Sequence, residues 1–364
     1  MAGAALVRVA VAGAGAFGRN HLRVLRELEA VGEGAALVAA VEPDPQRAEE
    51  AKAHFGIPVF STVDALLAAD LKLDAACVAV PTVQHHAVAA ALLDAGLDLL
   101  VEKPLAADLP EADALIRLQE KKSRILQPGH LERFNPAVLA VEPRLTRPMF
   151  FEAHRLSVFT PRALDVDVVL DLMIHDLDIV LAFAGSAVRE VRAVGLPILS
   201  PRVDIANVRV EFESGCVANF TASRVSTERV RKLRFFEPRQ YVSIDYARRD
   251  LLVIRVDSDA GPLPAELAAA LAAGKISPAD LARFAGGATP ESAPGFKFIK
   301  PEVPPGEPLR LEILSFLDSV RTRRAPRVTA RQGRAALELA LQIQSTMAAH
   351  ADRAGLGDFF KAGL

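Results

Sequence analysis

An apolar segment of the chain carries the residues best suited to acid–base chemistry. The stretch VLDLMIHDLDIVL contains His175 together with Asp171, Asp176 and Asp178. If a helix runs through it from Asp167, spacings of four, four and three residues place all of these except Asp176 on one face. Carboxylates are rarely buried without partners. The pattern therefore leaves open a solvent-facing stripe, carboxylates bonded to neighbouring strands, a metal site or a catalytic edge.

The start of the chain indicates what a catalytic edge would face. The run VRVAVAGAGAFGRNHLRVLREL reads as strand, turn and helix, with Gly13, Gly15 and Gly18 in the pattern G-x-G-x-x-G. In a dinucleotide fold these glycines make a tight turn, let the backbone approach a pyrophosphate, and let helix and strand pack closely. Glu42 ends the next strand, where it can accept both hydrogen bonds from an adenosine ribose and repel a 2′-phosphate. The sequence thus predicts NAD rather than NADP.

Strands and helices alternate through the first third of the chain. DAACVAVPT and DLLVEKP read as buried strands with the helix QHHAVAAALLDAG between them, which predicts a doubly wound parallel sheet. Ligands of such sheets bind beyond the carboxyl ends of the strands. Pro81, Thr82 and His85 follow one such end, and Glu102 and Lys103 lie at another. We expect all five residues to be near the dinucleotide.

The pattern changes after Gln127. Runs such as IANVRVEFESGCVANFTASRV alternate apolar and polar residues, which predicts a large, mostly antiparallel sheet flanked by helices, with a hairpin turn at ESG. We therefore expect an NAD-binding Rossmann domain in residues 1–126. A substrate-binding and oligomerisation domain is expected in residues 127–364, whose last helices can pack back on the first domain. The Pro-, Ala- and Gly-rich segment 261–305 predicts a surface excursion.

Composition excludes several classes of function. The 364 residues are 51% apolar and 24% charged, with a net charge of −2, so nothing in bulk favours nucleic acid or an anionic membrane surface. No run approaches the ~20 apolar residues of a membrane span. Cys77 and Cys216 lie in apolar strand-like runs, which predicts buried thiols and a reducing, cytoplasmic setting.

Four motifs together resemble one enzyme family. AGAGAFGRNHL, AVPTVQHHAVAAALLDAG, VEKPLA and DLMIHDLDIV, in this order, look like the glucose–fructose oxidoreductase / inositol dehydrogenase (Gfo/Idh/MocA) family. The resemblance implies a Rossmann domain followed by a domain with a large antiparallel sheet. It also implies oxidation or reduction of sugars and polyols with a nicotinamide cofactor, in a homodimer or homotetramer formed through the C-terminal sheet.

A finer resemblance concerns the substrate. PGHLERFNPAV, with DVDVVLDLMIHDLDIV, looks like the branch of the family that contains UDP-N-acetylglucosamine 3-dehydrogenases. Their 3-keto product is aminated for lipid A or related glycans. The alternatives left open are a dehydrogenase of free sugars or cyclitols, a family glycosidase that uses NAD without net reduction, and a cofactor sensor without catalysis.

The resemblance also implies residue roles. Lys103, Asp171 and His175 match catalytic positions of the family, with His175 as the proton acceptor nearest neutrality and Lys103 stabilising the reacting oxygen. The sequence does not decide which of these two moves the proton, and Asp171 would orient the imidazole or bind a hydroxyl. Cofactor contacts are expected from the glycine loop and three strand ends: Gly13, Gly15, Ala16, Phe17, Gly18, Glu42, Pro81, Thr82, His85, Glu102 and Lys103.

Substrate contacts are expected from three further residues, and no metal is expected. Arg133 and Asn135 are candidates for the substrate or its phosphates, although an arginine there could equally form an interdomain salt bridge. Asp176 is a weaker candidate than Asp171, because it points about 100° away from His175 on a helix. His85 could equally be a packed residue at a helix start.

Overall fold

The computed structural model describes residues 6–160, 166–256 and 296–360. The chain divides into two compact units, each assembled from separate segments. Unit 1 comprises Met1–Asn135, Val169–Ala182 and Gly306–Ala348, and unit 2 comprises Pro136–Val168, Phe183–Pro305 and Ala349–Leu364. The predicted functional boundary after residue 126 stays a prediction. Residues 261–295 of the expected surface excursion lie outside the described residues.

Unit 1 is built on a parallel sheet of six strands in the order β3-β2-β1-β4-β5-β6. Apart from the short edge strand β3, these strands are almost wholly buried, as their continuous apolar runs require. The order changes direction between β1 and β4, which is where a doubly wound sheet opens its ligand crevice. The strands are β1 Val7–Ala12, β2 Ala35–Val41, β3 Val59–Phe60, β4 Ala75–Val78, β5 Asp98–Glu102 and β6 Leu126–Gly129.

Helices cover both faces of this sheet. On one face α1, α2 and α8 share a buried apolar cluster, and on the other face α3, α4, α5 and α9 share a second. The expected return of the last helices is visible here, because α8 and α9 contribute to the two cores of the parallel sheet. The helices are α1 Gly18–Ala30, α2 Pro45–Phe55, α3 Val63–Ala68, α4 His85–Asp94, α5 Leu109–Lys122, α8 Pro308–Thr322 and α9 Ala330–Arg353.

Unit 2 is built on a sheet whose eight described strands follow the order β14-β13-β12-β11-β7-β10-β9-β8. All neighbours pair antiparallel except β7 and β10, which are parallel. The predicted hairpin at ESG is present, with Gly215 at φ 81° between β9 and β10. The strands are β7 Phe150–Leu156, β8 Val188–Leu196, β9 Ile205–Phe212, β10 Val217–Ser223, β11 Val230–Glu237, β12 Gln240–Asp245, β13 Asp250–Val256 and β14 Phe296–Ile299. The predicted fold class is thus confirmed.

The segment with the acid–base residues is not one regular helix. Val169–Met173 forms a π-helical turn, and α7 follows as Ile174–Ala184. Asp167 precedes both, so the prediction of a single polar stripe from Asp167 is wrong. A π turn spaces its hydrogen bonds by five residues and is frequent at functional sites. It therefore rotates Asp171 away from the position that a regular helix would give it. α6, Pro136–Val141, precedes this segment in the chain.

A buried ion pair holds the main chain at Val166, shortly before the π turn in the sequence. In unit 2, Arg224 Nε donates to Asp204 Oδ1 at 2.7 Å and Arg224 Nη1 donates to the Val166 carbonyl at 2.8 Å. Burial alone would raise the pKa of Asp204, but donors from Ser200, Ile198 and Arg224 hold it at about 2. This cluster fixes the chain just before the π turn.

Replacing Arg224 with Met should destabilise unit 2 by about 3–5 kcal/mol, because it leaves the Asp204 carboxylate buried without its cation. Urea unfolding followed by circular dichroism measures this change. Arg192→Met is the matched control, since Arg192 forms an exposed, solvent-screened pair with Glu190 and should change stability far less. Equal stability of the two variants would contradict a structural role for Arg224. The contribution of Asp204 to the free energy of unfolding is fully present above its ordinary pKa and is lost as pH falls towards 2.

Candidate active site

The glycine loop, residues 13–18, has the shape of a dinucleotide turn. Gly13 has φ +97°, and a Cβ there would lie 2.6 Å from the Ala79 carbonyl oxygen. A Cβ on Gly18 would lie 1.9 Å from the carbonyl oxygen of Gly13. A Cβ on Gly15 would meet nothing within 4 Å. Two glycines are therefore required by packing, and the third leaves open space where a pyrophosphate can approach the backbone.

The start of α1 suits an anion. Its first turn carries no acidic side chain, and Phe17 at the N-cap makes no side-chain capping bond. Ala16 and Phe17 are exposed beside it. Main-chain N–H groups and the positive end of the helix dipole are therefore directed to the open side of the glycine loop. These features fit the phosphates of NAD.

Glu42 is tied to the glycine loop. One carboxylate oxygen accepts from the Ala14 N–H at 2.9 Å, and the other accepts from the Asp44 N–H at 3.0 Å and from Arg47 at 2.8 Å. Burial alone would raise the pKa of Glu42, but these hydrogen bonds lower it below its ordinary value. The carboxylate is thus a fixed anion at the end of β2, as recognition of an adenosine ribose requires.

The end of β4 carries two residues with access to the crevice and one without. Pro81 is exposed and Thr82 half-exposed, and Thr82 begins a 3₁₀ turn that leads into α4. His85 is buried, with its ring nitrogens 2.8 Å from the Pro104 oxygen and 2.9 Å from the Val80 oxygen. Burial lowers the pKa of His85, while both carbonyl contacts oppose that shift. His85 therefore fixes the loop after Lys103, and its predicted contact with the cofactor stays a prediction.

Lys103 meets the π turn within unit 1. Its Nζ donates to the carbonyl oxygen of Asp171 at 2.8 Å and to that of Leu170 at 3.4 Å. The Asp171 carboxylate lies 4.0 Å from Nζ, and both side chains keep partial access, at 20% and 30%. The structure thus brings two of the three predicted catalytic residues together beyond the carboxyl end of β5.

His175 lies in the first turn of α7, four residues after Asp171, and is partly exposed. Asp176 and Asp178 are buried on the same helix. Asp178 lies 3.7 Å from Arg133 and 3.9 Å from His130, in a buried cluster of ionisable groups. The carboxylates of this helix therefore split into Asp171 beside the lysine and Asp178 in the interior.

The three predicted substrate residues are all buried. Arg133 lies beside Asp178, and Asn135 donates to Glu132 at 3.1 Å. Asp176 is 2% exposed. Their proposed contacts with substrate stay predictions, and the observed contacts of Arg133 are to a carboxylate of its own unit. Within the described ranges, no group of three or more His, Cys, Asp or Glu side chains is arranged to hold a metal ion.

Sequence reasoning missed two buried groups behind Lys103. His21 Nε2 lies 2.7 Å from Glu102 Oε1, and both residues are buried. Glu312 on α8 is fully buried, and neither of its carboxylate oxygens has a hydrogen-bond partner among the described residues. The available signals were a histidine three residues after Gly18 and a glutamate on an otherwise apolar helix face in RLEILSF.

Burial raises the pKa of Glu312 well above its ordinary value. The charge of Glu102 adds to this shift, His21 opposes it, and Asp178 adds to it again. The shift favours the protonated, neutral form of Glu312 in the folded protein. Two contacts between oppositely charged partners lie in the same interior, Glu102 with His21 and Asp178 with Arg133.

Comparisons with known proteins identify the family of the chain. The family model described as "Oxidoreductase family, NAD-binding Rossmann fold" matches residues 7–130, and the "GFO/IDH/MocA C-terminal domain" matches residues 138–238. The chain belongs to the Gfo/Idh/MocA oxidoreductase family. As a member of this family it is an NAD-dependent oxidoreductase, and the predicted cofactor is confirmed.

Several Gfo/Idh/MocA relatives are similar over much of the chain. UDP-N-acetylglucosamine 3-dehydrogenase of Acidithiobacillus ferrooxidans is 32% identical over 348 residues, which is 95% of this chain and 99% of that protein. A solved structure of that enzyme has a TM-score of 0.79 at 31% identity and covers 94% of this chain and 97% of its own. The scyllo-inositol 2-dehydrogenase (NAD(+)) of Bacillus subtilis is 28% identical over 60% of this chain and 68% of its own.

A levoglucosan dehydrogenase in complex with NADH has the same fold, with a TM-score of 0.77 at 16% identity over 94% of this chain and 97% of its own.

In the part of the chain that the structure describes, no helix is both long and apolar enough to cross a membrane.

Replacing Glu42 with Ser should shift cofactor preference towards NADP. The change removes the carboxylate that would repel a 2′-phosphate and leaves Arg47 available to attract one. We expect the ratio of NADP to NAD affinity to rise at least about tenfold, which corresponds to about 1.4 kcal/mol. Titration of both cofactors by calorimetry measures it. Glu50→Ser, at an exposed partner of Arg19, should leave the ratio unchanged; an unchanged ratio in Glu42→Ser would refute the role of Glu42.

Replacing Glu312 with Gln should stabilise unit 1 increasingly as pH rises. The folded protein holds a proton on Glu312 that the unfolded chain releases above about pH 4.5, so the stability of the wild type falls from there until the folded pKa is passed. A buried Gln carries no such proton. The thermal unfolding midpoint of Glu312→Gln minus that of the wild type should be at least about 2 °C larger at pH 8 than at pH 4.5. Glu49→Gln, on an exposed helix face, is the control. A difference that does not depend on pH would show that Glu312 ionises normally.

Proposed function

We propose that this enzyme oxidises the C3 hydroxyl of a nucleotide sugar, UDP-N-acetylglucosamine, with NAD as the hydride acceptor. The observation that carries the proposal is Lys103 held beside Asp171 at the carboxyl end of β5, in the same unit as the glycine loop. The choice of substrate is supported by similarity to UDP-N-acetylglucosamine 3-dehydrogenase along nearly the whole of both chains. The inositol dehydrogenases match over a smaller share of the chain.

Residues of the chain would hold the cofactor in defined places. The open side of Gly15 and the start of α1 would receive the pyrophosphate, and Glu42 would accept from the adenosine ribose. When bound, NAD supplies the acceptor for the hydride. Thr82 and the end of β5 would border its nicotinamide part. These assignments rest on the fit of loop, helix and carboxylate described above.

Proton movement would be divided between the side chains of the cleft. The carbonyls of Leu170 and Asp171 position the Lys103 ammonium. The ammonium has three N–H donors and can direct one of them to the reacting oxygen. It would then stabilise the negative charge that develops there. His175 would accept the hydroxyl proton, since an imidazole titrates near neutral pH. The Asp171 carboxylate would bind a neighbouring hydroxyl or orient His175.

Turnover with purified sugars tests the substrate. The protein with NAD and UDP-N-acetylglucosamine should form NADH, read as absorbance at 340 nm, and a nucleotide sugar lighter by two hydrogens, read by mass spectrometry. Myo-inositol, scyllo-inositol and free N-acetylglucosamine serve as the comparison panel. Faster turnover of a cyclitol would transfer the proposal to the inositol branch. Release of a free sugar without net NADH would indicate a glycosidase. We propose further that the keto product is the substrate of an aminotransferase in lipid A or glycan synthesis.

Replacing Lys103 with Met should abolish turnover and spare cofactor binding. We expect kcat to fall by about 10²–10⁴, because a group that acts on the reacting oxygen is lost. The dissociation constant for NAD, measured by calorimetry, should change by less than about threefold, since it depends on the glycine loop and Glu42. Lys72→Met is the control on the exposed surface. If Lys103→Met kept wild-type turnover, this mechanism would fail.

We also propose that the chain forms a homodimer or homotetramer through one face of the unit 2 sheet, in the cytoplasm. That face is polar and partly exposed: Asn207 donates to Thr221 at 3.0 Å and Arg209 donates to Asn219 at 3.2 Å. Such groups can pair across an interface with a second copy. Light scattering after gel filtration should give two or four chain masses, and Arg209→Glu should lower the mass while Lys72→Glu does not. A single-chain mass for the wild type would overturn this proposal.

A further inference from the structure

His21 links the helix of the glycine loop to the strand that carries Lys103. It lies on α1, three residues after Gly18, and is 1% exposed. Its Nε2 is 2.7 Å from Oε1 of Glu102, the last residue of β5. A single side-chain contact thus joins the element that would receive the cofactor phosphates to the end of the strand next to Lys103.

Two further contacts hold the Glu102 carboxylate beside His21. Its second oxygen accepts from the main-chain N–H of Lys103 at 3.3 Å. On its other side Gly129 packs so closely that a Cβ there would lie 3.0 Å from both Cδ and Oε2 of Glu102. The carboxylate is therefore held between β6 and α1, and it holds the main chain at Lys103 in turn. The orientation of the lysine depends on Glu102 staying in place.

His21 also touches the surface of the glycine loop. The ring of Phe17, which is 41% exposed, meets the ring of His21 edge-on with centroids 5.6 Å apart. Phe17 is the N-cap of α1, beside the open side of the loop. A chain of contacts thus runs from Phe17 through His21 and Glu102 to the backbone of Lys103. Each member contacts the next, and all lie in unit 1.

The charges of His21 and Glu102 stabilise each other. Burial alone would lower the pKa of His21, but the Cys77 thiol and the Glu102 carboxylate beside it raise it to about 10. The shift favours the charged imidazolium, which would give Glu102 a buried counter-ion. Removing one partner of such a pair leaves an uncompensated buried charge, which is strongly unfavourable.

We propose that His21 is a positioning residue of this oxidoreductase: by holding Glu102 it couples the cofactor-binding helix to the strand end that presents Lys103. This rests on the catalytic role of Lys103 given under the proposed function. His21 touches neither substrate nor reacting atoms in this account. Its effect is on where Lys103 sits once Phe17 and α1 have met the cofactor.

The ionisation of His21 can be tested without turnover. In the free protein, NMR of the imidazole should show His21 still protonated at pH 8, whereas Glu102→Gln should lower the pKa of the ring, because the Glu102 carboxylate is one of the two groups that raise it. Addition of NAD should shift the His21 resonances, because Phe17 lies on the loop that binds it. A wild-type ring that titrates near 6.5, or one that NAD does not shift, would overturn the proposal whatever the substrate is.

Turnover tests the coupling. With any sugar that the wild type oxidises, His21→Leu should lower kcat by about 10–100-fold. The dissociation constant for NAD should change by less than about threefold. His21→Gln keeps a hydrogen-bond donor and should lower kcat by a smaller factor. The effects of His21→Gln and Glu102→Gln should not add in the double variant, because they break one unit. His54→Gln, at an exposed position on α2, is the control. Unchanged kcat in His21→Leu, or additive effects in the double variant, would contradict the coupling. If Lys103→Met still lost turnover while the coupling failed in this way, the proposed function would stand.

Discussion

The structure of the site depends on one contact, the hydrogen bond from the Lys103 ammonium to the main-chain carbonyl of Asp171. It joins the end of a parallel strand to a helical segment more than 60 residues later in the chain. The accepting carbonyl lies in the π turn Val169–Met173, whose hydrogen bonds follow a wider spacing than those of a regular helix. The Asp171 carboxylate, 4.0 Å from the same nitrogen, is left at the partly open side.

Behind that contact lies a buried set of ionisable groups, in which burial and neighbouring carboxylates favour a protonated Glu312. His21 offsets Glu102, and Arg133 lies beside Asp178. Burying such groups costs free energy unless each charge is matched. The interior of unit 1 therefore fixes the end of β5 by geometry and by charge together. The outer side of the same strand end keeps the access that a substrate needs.

Much of this arrangement was predictable from the sequence. Continuous apolar runs and glycine spacing predicted the parallel sheet and its loop, because both patterns are local in the chain. The rule that ligands bind at strand ends predicted Lys103 for the site, and the structure brings Asp171 beside it, while their catalytic roles stay predictions. The π turn was not predictable, since nothing in VLDLM differs from an ordinary apolar helix. His21 and Glu312 were also missed, because their meaning comes from partners that are distant in sequence and adjacent only after folding.

Transfer of isotope from C3 tests the central claim most directly. UDP-N-acetylglucosamine deuterated at C3 should pass its label to the reduced cofactor in the wild-type protein, and the Lys103→Met variant should bind NAD and pass none. Mass spectrometry of the cofactor and of the sugar nucleotide reads both results. Label that stays on the sugar or is lost to water in the wild type, or label transfer that persists without Lys103, would contradict the account.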